Sequence, residues 1–413
     1  MTASGAPKDK FHFTFDTNEW IQLSQSGVSA GYGAEWILLS SAPPREVVVA
    51  YTQPNSPATA AGVNLARGAE VLSVDGVDLV NGNDVNTLNA GLFPANTGES
   101  HTFVVRDLGS NNTREVTMTS QEVVSTPVQN VTTLASSMGL VGYLVFNDHI
   151  ATAEGGLKDA IEQLATAGVD ELVLDIRYNG GGFLAIASQL AFMIAGNGPT
   201  AGAVFEELQF NDKHPTTNPV TGEPLEPMPF ITTTTGSFSE PGGQPLPTLN
   251  LPRVFVLTGP NTCSASESIM NSLRGVDVDV IQIGSTTCGK PYGFYATDNC
   301  GTSYFTIQFR GVNDKGFGDY TDGFSAENTA SGFVGEELPG CSVADDFEHA
   351  LGDPLEARLQ AALGYLESSG SCPVASGVTM QGAAKVAAPR SATDGIIPRS
   401  PWREMRILQG DRS

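Results

Sequence analysis

The chain has 413 residues, 40% of them hydrophobic, with 21 Lys and Arg against 45 Asp and Glu, a net charge of −24 and a pI near 4.4. That length supports a sizeable core and two or three domains. The acidity excludes nucleic acid and an anionic membrane surface as partners, since both are gripped by Lys and Arg.

No apolar run reaches the length of a transmembrane helix, about 18 residues. The start, MTASGAPKDKFHF, holds no apolar signal core. Residues 1–29 read as a polar, weakly patterned N-terminal segment. From residue 30 to 122 short β-branched runs alternate with turn signals: GYGAEWILL, REVVVAYTQ, AEVLSVDGVDL, HTFVVRD and TREVTMTS. A short helix is expected at 56–61, with Ser56 as cap and Pro57 at its first position. A second is expected over 84–92, with Asn83 as its candidate cap.

The texture changes near residue 138. GLVGYLVFN is an apolar strand, and LKDAIEQLATAGV has helical apolar spacing. ELVLDIRYNGGG is a strand that ends in three glycines, and FLAIASQLAFMIAG is an apolar helix. This alternation predicts an α/β domain with a parallel or mixed sheet over 123–370. Residues 197–250 are rich in Pro, Thr and Gly and read as an irregular insertion with short hairpins. The α/β pattern resumes with strands at 252–259, 278–284 and 303–309 and a helix at 354–367. The Ala-, Pro- and Ser-rich residues 371–413 read as a flexible tail.

Five cysteines, Cys263, Cys288, Cys300, Cys341 and Cys372, lie in the later part of the chain without any C-x-x-C pair. They are either buried thiols or two disulfides plus one odd cysteine, the latter implying an oxidising compartment. No His, Cys or Asp cluster has metal-ligand spacing, so neither metal nor cofactor is expected.

Two stretches carry chemistry. The glycines after VLDIRYN let the backbone approach a ligand closely and turn amides toward an oxyanion. No Gly-Lys-Ser/Thr follows, so this is not a phosphate loop. TCSASES opens a helix, where a serine is either an N-cap or a nucleophile in the positive end of the dipole. A nucleophile needs a base. His149, which follows GYLVFND, is the histidine candidate. Lys290 is the other, in a glycine-proline turn after the strand VDVIQIG. A buried lysine can be neutral and accept the serine proton.

Residues 30–122 resemble a PDZ domain through Gly31-Tyr32-Gly33-Ala34, SPATAAG and VLSVDGVDL. That implies docking of a peptide C-terminus on the amides of Tyr32, Gly33 and Ala34. Asp175-Ile176-Arg177-Tyr178-Asn179-Gly180-Gly181, Ser264-Ala265-Ser266-Glu267 and Gly289-Lys290 resemble the carboxyl-terminal processing, or tail-specific, serine proteases. The resemblance covers about residues 30–368. GKPYGF and GDYTDGF are similar to a divergent bacterial exported or lipoprotein branch.

The resemblance implies a multidomain α/β protein, a PDZ β-domain followed by a protease core of the ClpP/crotonase type. It implies Ser264 as nucleophile, Lys290 as general base, and the amides of Gly181 and Ala265 as oxyanion hole. The substrates would be polypeptides with presented C-termini. The place would be extracytoplasmic, periplasmic or lipid-anchored at the outer membrane, with an export signal removed. The family has a Gln four residues after the lysine, where this chain has Phe294. Gln308, on SYFTIQF, or Asn313 is the candidate to orient Lys290 instead. With the two motifs as neighbours, a Cys263–Cys288 bond can form. The alternatives are a silent PDZ scaffold on a protease-like core, and a serine protease with His149 as base.

Overall fold

The computed structural model describes residues 11–40, 42–329, 335–368 and 370–372, with the backbone of 405–406. Apart from these, the expected tail at 371–413 lies outside the described residues, as do residues 1–10.

The N-terminal segment is structured rather than weakly patterned. It forms β1 (Phe13–Asp16) and α1 (Thr17–Ile21), then a π-helical turn over Gln22–Ser26. Asp16 caps α1 by accepting the amides of Asn18 and Glu19. Trp20 packs with Phe294 and Phe305 in a small aromatic core, against which Phe13 and Phe15 also lie.

A β-rich unit follows. Its strands are β2 (Val28–Gly31), β3 (Ala34–Ser40), β4 (Glu46–Thr52), β5 (Glu70–Val74) and β6 (Val77–Asp78). After α2 (Val85–Leu92) come β7 (Ser100–Arg106), β8 (Thr113–Thr119) and β9 (Gln121–Val124). The main sheet runs β3-β4-β5-β7-β8, with β6 on β5, and β2 pairs β9. Alternate residues such as Trp36, Val47, Val49, Phe103 and Val105 bury a core of their own. The helix expected at 56–61 is a short 3₁₀ turn, Pro57–Thr59. Asp84, not Asn83, caps α2, because its carboxylate accepts Thr87 N at 3.1 Å.

The α/β core begins with β10 (Val128–Ser136), β11 (Gly139–Phe146), α3 (Ala153–Ala167) and β12 (Glu171–Asp175). Then come β13 (Gly182–Phe183), α4 (Leu184–Ala195), α5 (Asn197–Thr200), β14 (Val204–Gln209) and β15 (Met228–Pro229). After the mostly irregular insertion come β16 (Arg253–Thr258), α6 (Ala265–Gly275) and β17 (Asp279–Gly284). Short strands follow: β18 (Tyr292–Gly293), β19 (Thr297–Asn299), β20 (Thr302–Phe305), β21 (Phe309–Val312), β22 (Phe324–Ala326), β23 (Glu336–Leu338) and β24 (Gly340–Cys341). α7 (Ala357–Glu367) closes the core, and β25 (Met405–Arg406) lies near the chain end. The single strand expected at 303–309 is thus split between β20 and β21, which belong to different sheets.

The central sheet has the order β10-β11-β12-β16-β17-β24, antiparallel at β10 and parallel beyond. Leu144, Leu174, Val256 and Val280 face the layer of α3, α4 and α6. Tyr143, Val173, Phe255 and Ile283 face α7. A parallel sheet covered on both faces reads as continuous apolar strands, as these do. The protein is therefore a multidomain α/β fold. No helix among the described residues is long and apolar enough to cross a membrane.

Two disulfides form, Cys263–Cys288 and Cys341–Cys372, and Cys300 is free and exposed.

Candidate active site

Four loops meet at the carboxyl ends of the adjacent parallel strands β11, β12, β16 and β17, where open α/β sheets place their ligands. β11 leads to His149, β12 to Asn179-Gly180-Gly181, β16 to Ser264 and β17 to Lys290. Hydrogen bonds sew the loops together. Thr262 Oγ1 donates to Ile176 O at 2.8 Å, and Thr262 O accepts Cys288 N at 3.0 Å. Cys263 N and Ser266 Oγ both donate to Asn179 O, at 3.1 and 3.0 Å.

Ser264 sits at a strained corner. Its φ of 62° and ψ of −123° are a region that side-chain-bearing residues rarely occupy. Its side chain is fully buried, and its Oγ has no hydrogen-bond partner. Only the glutamate half of a capping box is made, with Ser264 N donating to Glu267 Oε2 at 3.0 Å. Gly181 presses directly on this corner. A Cβ there would lie 2.7 Å from Ser264 Cβ and 3.0 Å from Ala265 N, and its φ is 101°, so only glycine fits. Ala265 N is the first amide of α6 and has no acceptor within the helix.

Glu267 joins the serine corner to the lysine turn. Its buried carboxylate accepts Ser264 N, Lys290 N at 2.8 Å, Gly289 N at 2.8 Å and Thr287 Oγ1 at 2.5 Å. Burial pushes its pKa up, against the opposing pull of those donors. The Cys263–Cys288 bond makes a second, covalent link between the same two turns. Cys263, Glu267 and Cys288 are close enough to share a metal ion, but the disulfide consumes the thiolates that would bind it.

Lys290 is fully buried. Its Nζ lies 4.7 Å from the Phe294 ring centroid and 5.4 Å from that of Phe11. Phe294 packs on Phe13 and Phe305, so the aromatic residue at the family's Gln position roofs the lysine as part of the N-terminal aromatic core. Gln308 spends its Oε1 on Tyr295 N at 2.8 Å.

His149 braces the glycine loop. Asn179 Nδ2 donates to Phe146 O, so its Oδ1 is the acceptor and His149 Nδ1 carries the proton between them, at 2.9 Å. Asn179 Oδ1 also accepts Gly181 N at 2.9 Å. The amide expected in the oxyanion hole is therefore occupied in this conformation. Burial pushes the His149 pKa down to about 3. Its Nε2 is buried without a partner, and no hydrogen bond joins it to Ser264. Asn179 lay inside the sequence motif, but its bracing role depends on which strand lies next to which.

Beyond this loop, Arg177 is buried in a fork of carboxylates. It pairs with Asp175, Glu356 at 2.6 Å and Asp345 at 2.8 Å. Arg67 reaches over from the β-rich unit to Asp345 at 2.8 Å and to Tyr178 Oη at 2.6 Å. In that unit, Tyr32 O accepts Ala58 N and Gly33 O accepts Gln53 N. Gly33 has φ 73°, and a Cβ there would meet Ser56 at 2.3 Å. Ala34 opens β3, which among the described residues is an edge strand paired only with β4.

Residues 140–294 match peptidase family S41. The carboxyl-terminal-processing protease of Picosynechococcus is 27% identical over 227 residues, 53% of this chain and 51% of that protein. The chloroplastic C-terminal processing peptidase of Tetradesmus obliquus is 30% identical over 194 residues, 43% of this chain and 39% of that protein. The chain thus spans about half or less of the length of these curated relatives. A Bacteroides fragilis structure described as an S41 protease shares the fold, with a TM-score of 0.65 at 22% identity over 88% of this chain and 87% of that one.

Proposed function

From the peptidase family S41 domain that residues 140–294 carry, we propose that the protein is a serine endopeptidase working with Ser264 and Lys290. The observation that carries this reading is that Glu267 Oε2 takes the backbone amides of both residues, which sets their turns side by side. Ser264 Oγ bonds to the scissile carbonyl carbon while its proton passes to neutral Lys290 Nζ. The C–N bond breaks, and Lys290 returns the proton to the leaving amine. Water then gives a proton to Lys290 and its oxygen to the acyl ester, and Ser264 leaves reprotonated. A lysine acts as base only when neutral, which burial away from water favours. Ala265 N and Gly181 N hold the oxyanion. Gly181 N must first leave Asn179 Oδ1, so substrate entry includes a shift of the glycine loop.

The β-rich unit is read as a PDZ module that adds a substrate C-terminus to the open edge of β3, with its carboxylate at Tyr32, Gly33 and Ala34. Substrates would be polypeptides with accessible C-termini. The two disulfides support an extracytoplasmic, oxidising location.

The second reading, a silent scaffold, draws on the full burial of Ser264 and the occupied Gly181 amide. One experiment separates them. An unfolded protein is incubated with wild type, Ser264→Ala and Lys290→Ala, and a fluorophosphonate probe is applied in parallel. Cleavage and labelling by wild type, lost in both variants, are the expected result. No cleavage and no labelling by wild type would favour the scaffold. Loss on His149→Ala with only weakening on Lys290→Ala would move the base role to His149.

A further inference from the structure

β13 directly follows the Gly181 corner, and both of its edges are occupied. On one side Phe183 N donates to His149 O at 2.8 Å, and Gly182 bridges to His149 in parallel. On the other side β25 runs parallel to it, with Met405 opposite Gly182 and Arg406 opposite Phe183. β25 also lies against β18, which starts two residues beyond Lys290. A strand from the far end of the chain therefore sits between the loop that presses on Ser264 and the turn that carries Lys290.

The charge distribution favours this pairing. Residues 373–413 hold six basic residues, among them Arg399, Arg403, Arg406 and Arg412, against the three acids Asp394, Glu404 and Asp411. They carry +3 in a chain of net −24, which leaves −27 on residues 1–372. A basic segment is drawn to an acidic body. Covalent attachment adds to the attraction, since a tethered segment acts at an effective concentration of about millimolar order.

We propose that the C-terminal segment around Met405–Arg406 is a built-in occupant of the groove between β13 and β18, added to β13 as a strand. It goes beyond the peptidase reading and rests on it in one respect only: that this groove is where an extended substrate would lie. Another polypeptide can pair with β13 only after the segment leaves. The chain then holds its own cleft shut, and a competing polypeptide opens it.

The test uses the full chain. In Met405→Pro/Arg406→Pro, both amides of β25 are lost and the strand cannot pair. A fluorescein-labelled peptide with the sequence of residues 399–413 is titrated into wild type and variant. Hydrogen exchange is followed over residues 179–184. The variant is expected to bind the peptide at least about tenfold more tightly than wild type, because the tethered competitor is gone. Exchange at Phe183 should be faster in the variant and slow again when the peptide is added. Equal affinity with unchanged exchange, or no binding to either protein, would overturn the proposal. Cleavage of an unfolded protein, measured on the same pair, tests the other reading separately. Changed binding and exchange with no cleavage by either protein would leave the docked strand standing and remove the peptidase. Faster cleavage by the variant without any change in binding or exchange would do the reverse.

Discussion

Ser264 and Lys290 hang from a single atom: Oε2 of Glu267 accepts the backbone amide of one at 3.0 Å and of the other at 2.8 Å. The other oxygen holds Gly289 N and Thr287 Oγ1. Every donor there requires an acceptor, so a carboxylate suits the position and an amide does not. Glu267→Gln puts an NH₂ against two N–H or O–H donors. Each buried donor left without a partner costs about 1–3 kcal/mol, so the variant should lose about 2–6 kcal/mol of stability. A shift of about 1 Å between Ser264 and Lys290 should lower kcat/KM by about 100-fold. Urea unfolding and kcat/KM on the same preparation check both. A folded variant with unchanged kcat/KM would show that this carboxylate does not set the geometry of the pair.

The Cys263–Cys288 bond ends one residue before Ser264 and two before Lys290. The Cys341–Cys372 bond lies at the edge strand β24, by α7. Both close loops of similar length, 25 and 31 residues apart, so loop entropy gives each about 3 kcal/mol. Their effects on turnover should differ. Cys263→Ser/Cys288→Ser should lose stability and most of kcat, whereas Cys341→Ser/Cys372→Ser should lose stability alone. Thermal midpoints and kcat of the two double variants decide it. Equal losses of kcat would mean that the first bond has no local role.

Much of the site was legible because each of its pieces ends an apolar run. VLDIR, RVFVLTG and VDVIQIG are buried strands, and each hands over to a turn of glycine or small residues. What the chain order does not state is that β12 lies between β11 and β16, and β16 beside β17. Only that order places His149 on Asn179, and Asn179 under Gly181. The glycine motif marks an amide for an oxyanion, but not that the Asn two positions earlier already holds it. The N-terminal segment reads as weakly patterned because polar residues interrupt its aromatics. Phe11, Phe13 and Phe15 alternate with His12 and Thr14, a period of two that marks a one-sided strand. Phe11, just before that strand, lies over Lys290, and Phe13 within it packs on Phe294, which roofs the lysine.

His149 should take no part in the pH dependence of activity above pH 5. Burial holds its imidazole at about 3, below its ordinary 6.5. The folded state thus keeps it neutral while the unfolded chain would protonate it. Its contribution to stability is full above pH 6.5 and fades as pH falls from there toward 3. Its NMR signals should show no titration between pH 5 and 8. An acidic limb in kcat/KM over that range would then belong to another group. A His149 midpoint above 5 would mean that the ring reaches water, and would return it as a candidate base.

Glu206 should make the fold less stable as pH rises from 4.5 to 7. It lies on β14 beneath α6, fully buried, hydrogen-bonded to Ser268 and packed on Gly311. Burial raises its carboxyl from 4.5 to about 7. Between those two values the folded protein keeps a proton that the unfolded chain has lost. Stability from this group is therefore complete below pH 4.5 and falls as pH rises through 7. By pH 8 the loss should approach about 3 kcal/mol. Glu206→Gln keeps the shape and cannot ionise. Urea unfolding at pH 5 and pH 8 should show a drop in wild type that is smaller in the variant by about 2.5 kcal/mol, since part of the loss already occurs below pH 5. The same slope in both proteins would mean that Glu206 is solvated in the native state, and that α6 does not sit on a neutral carboxyl.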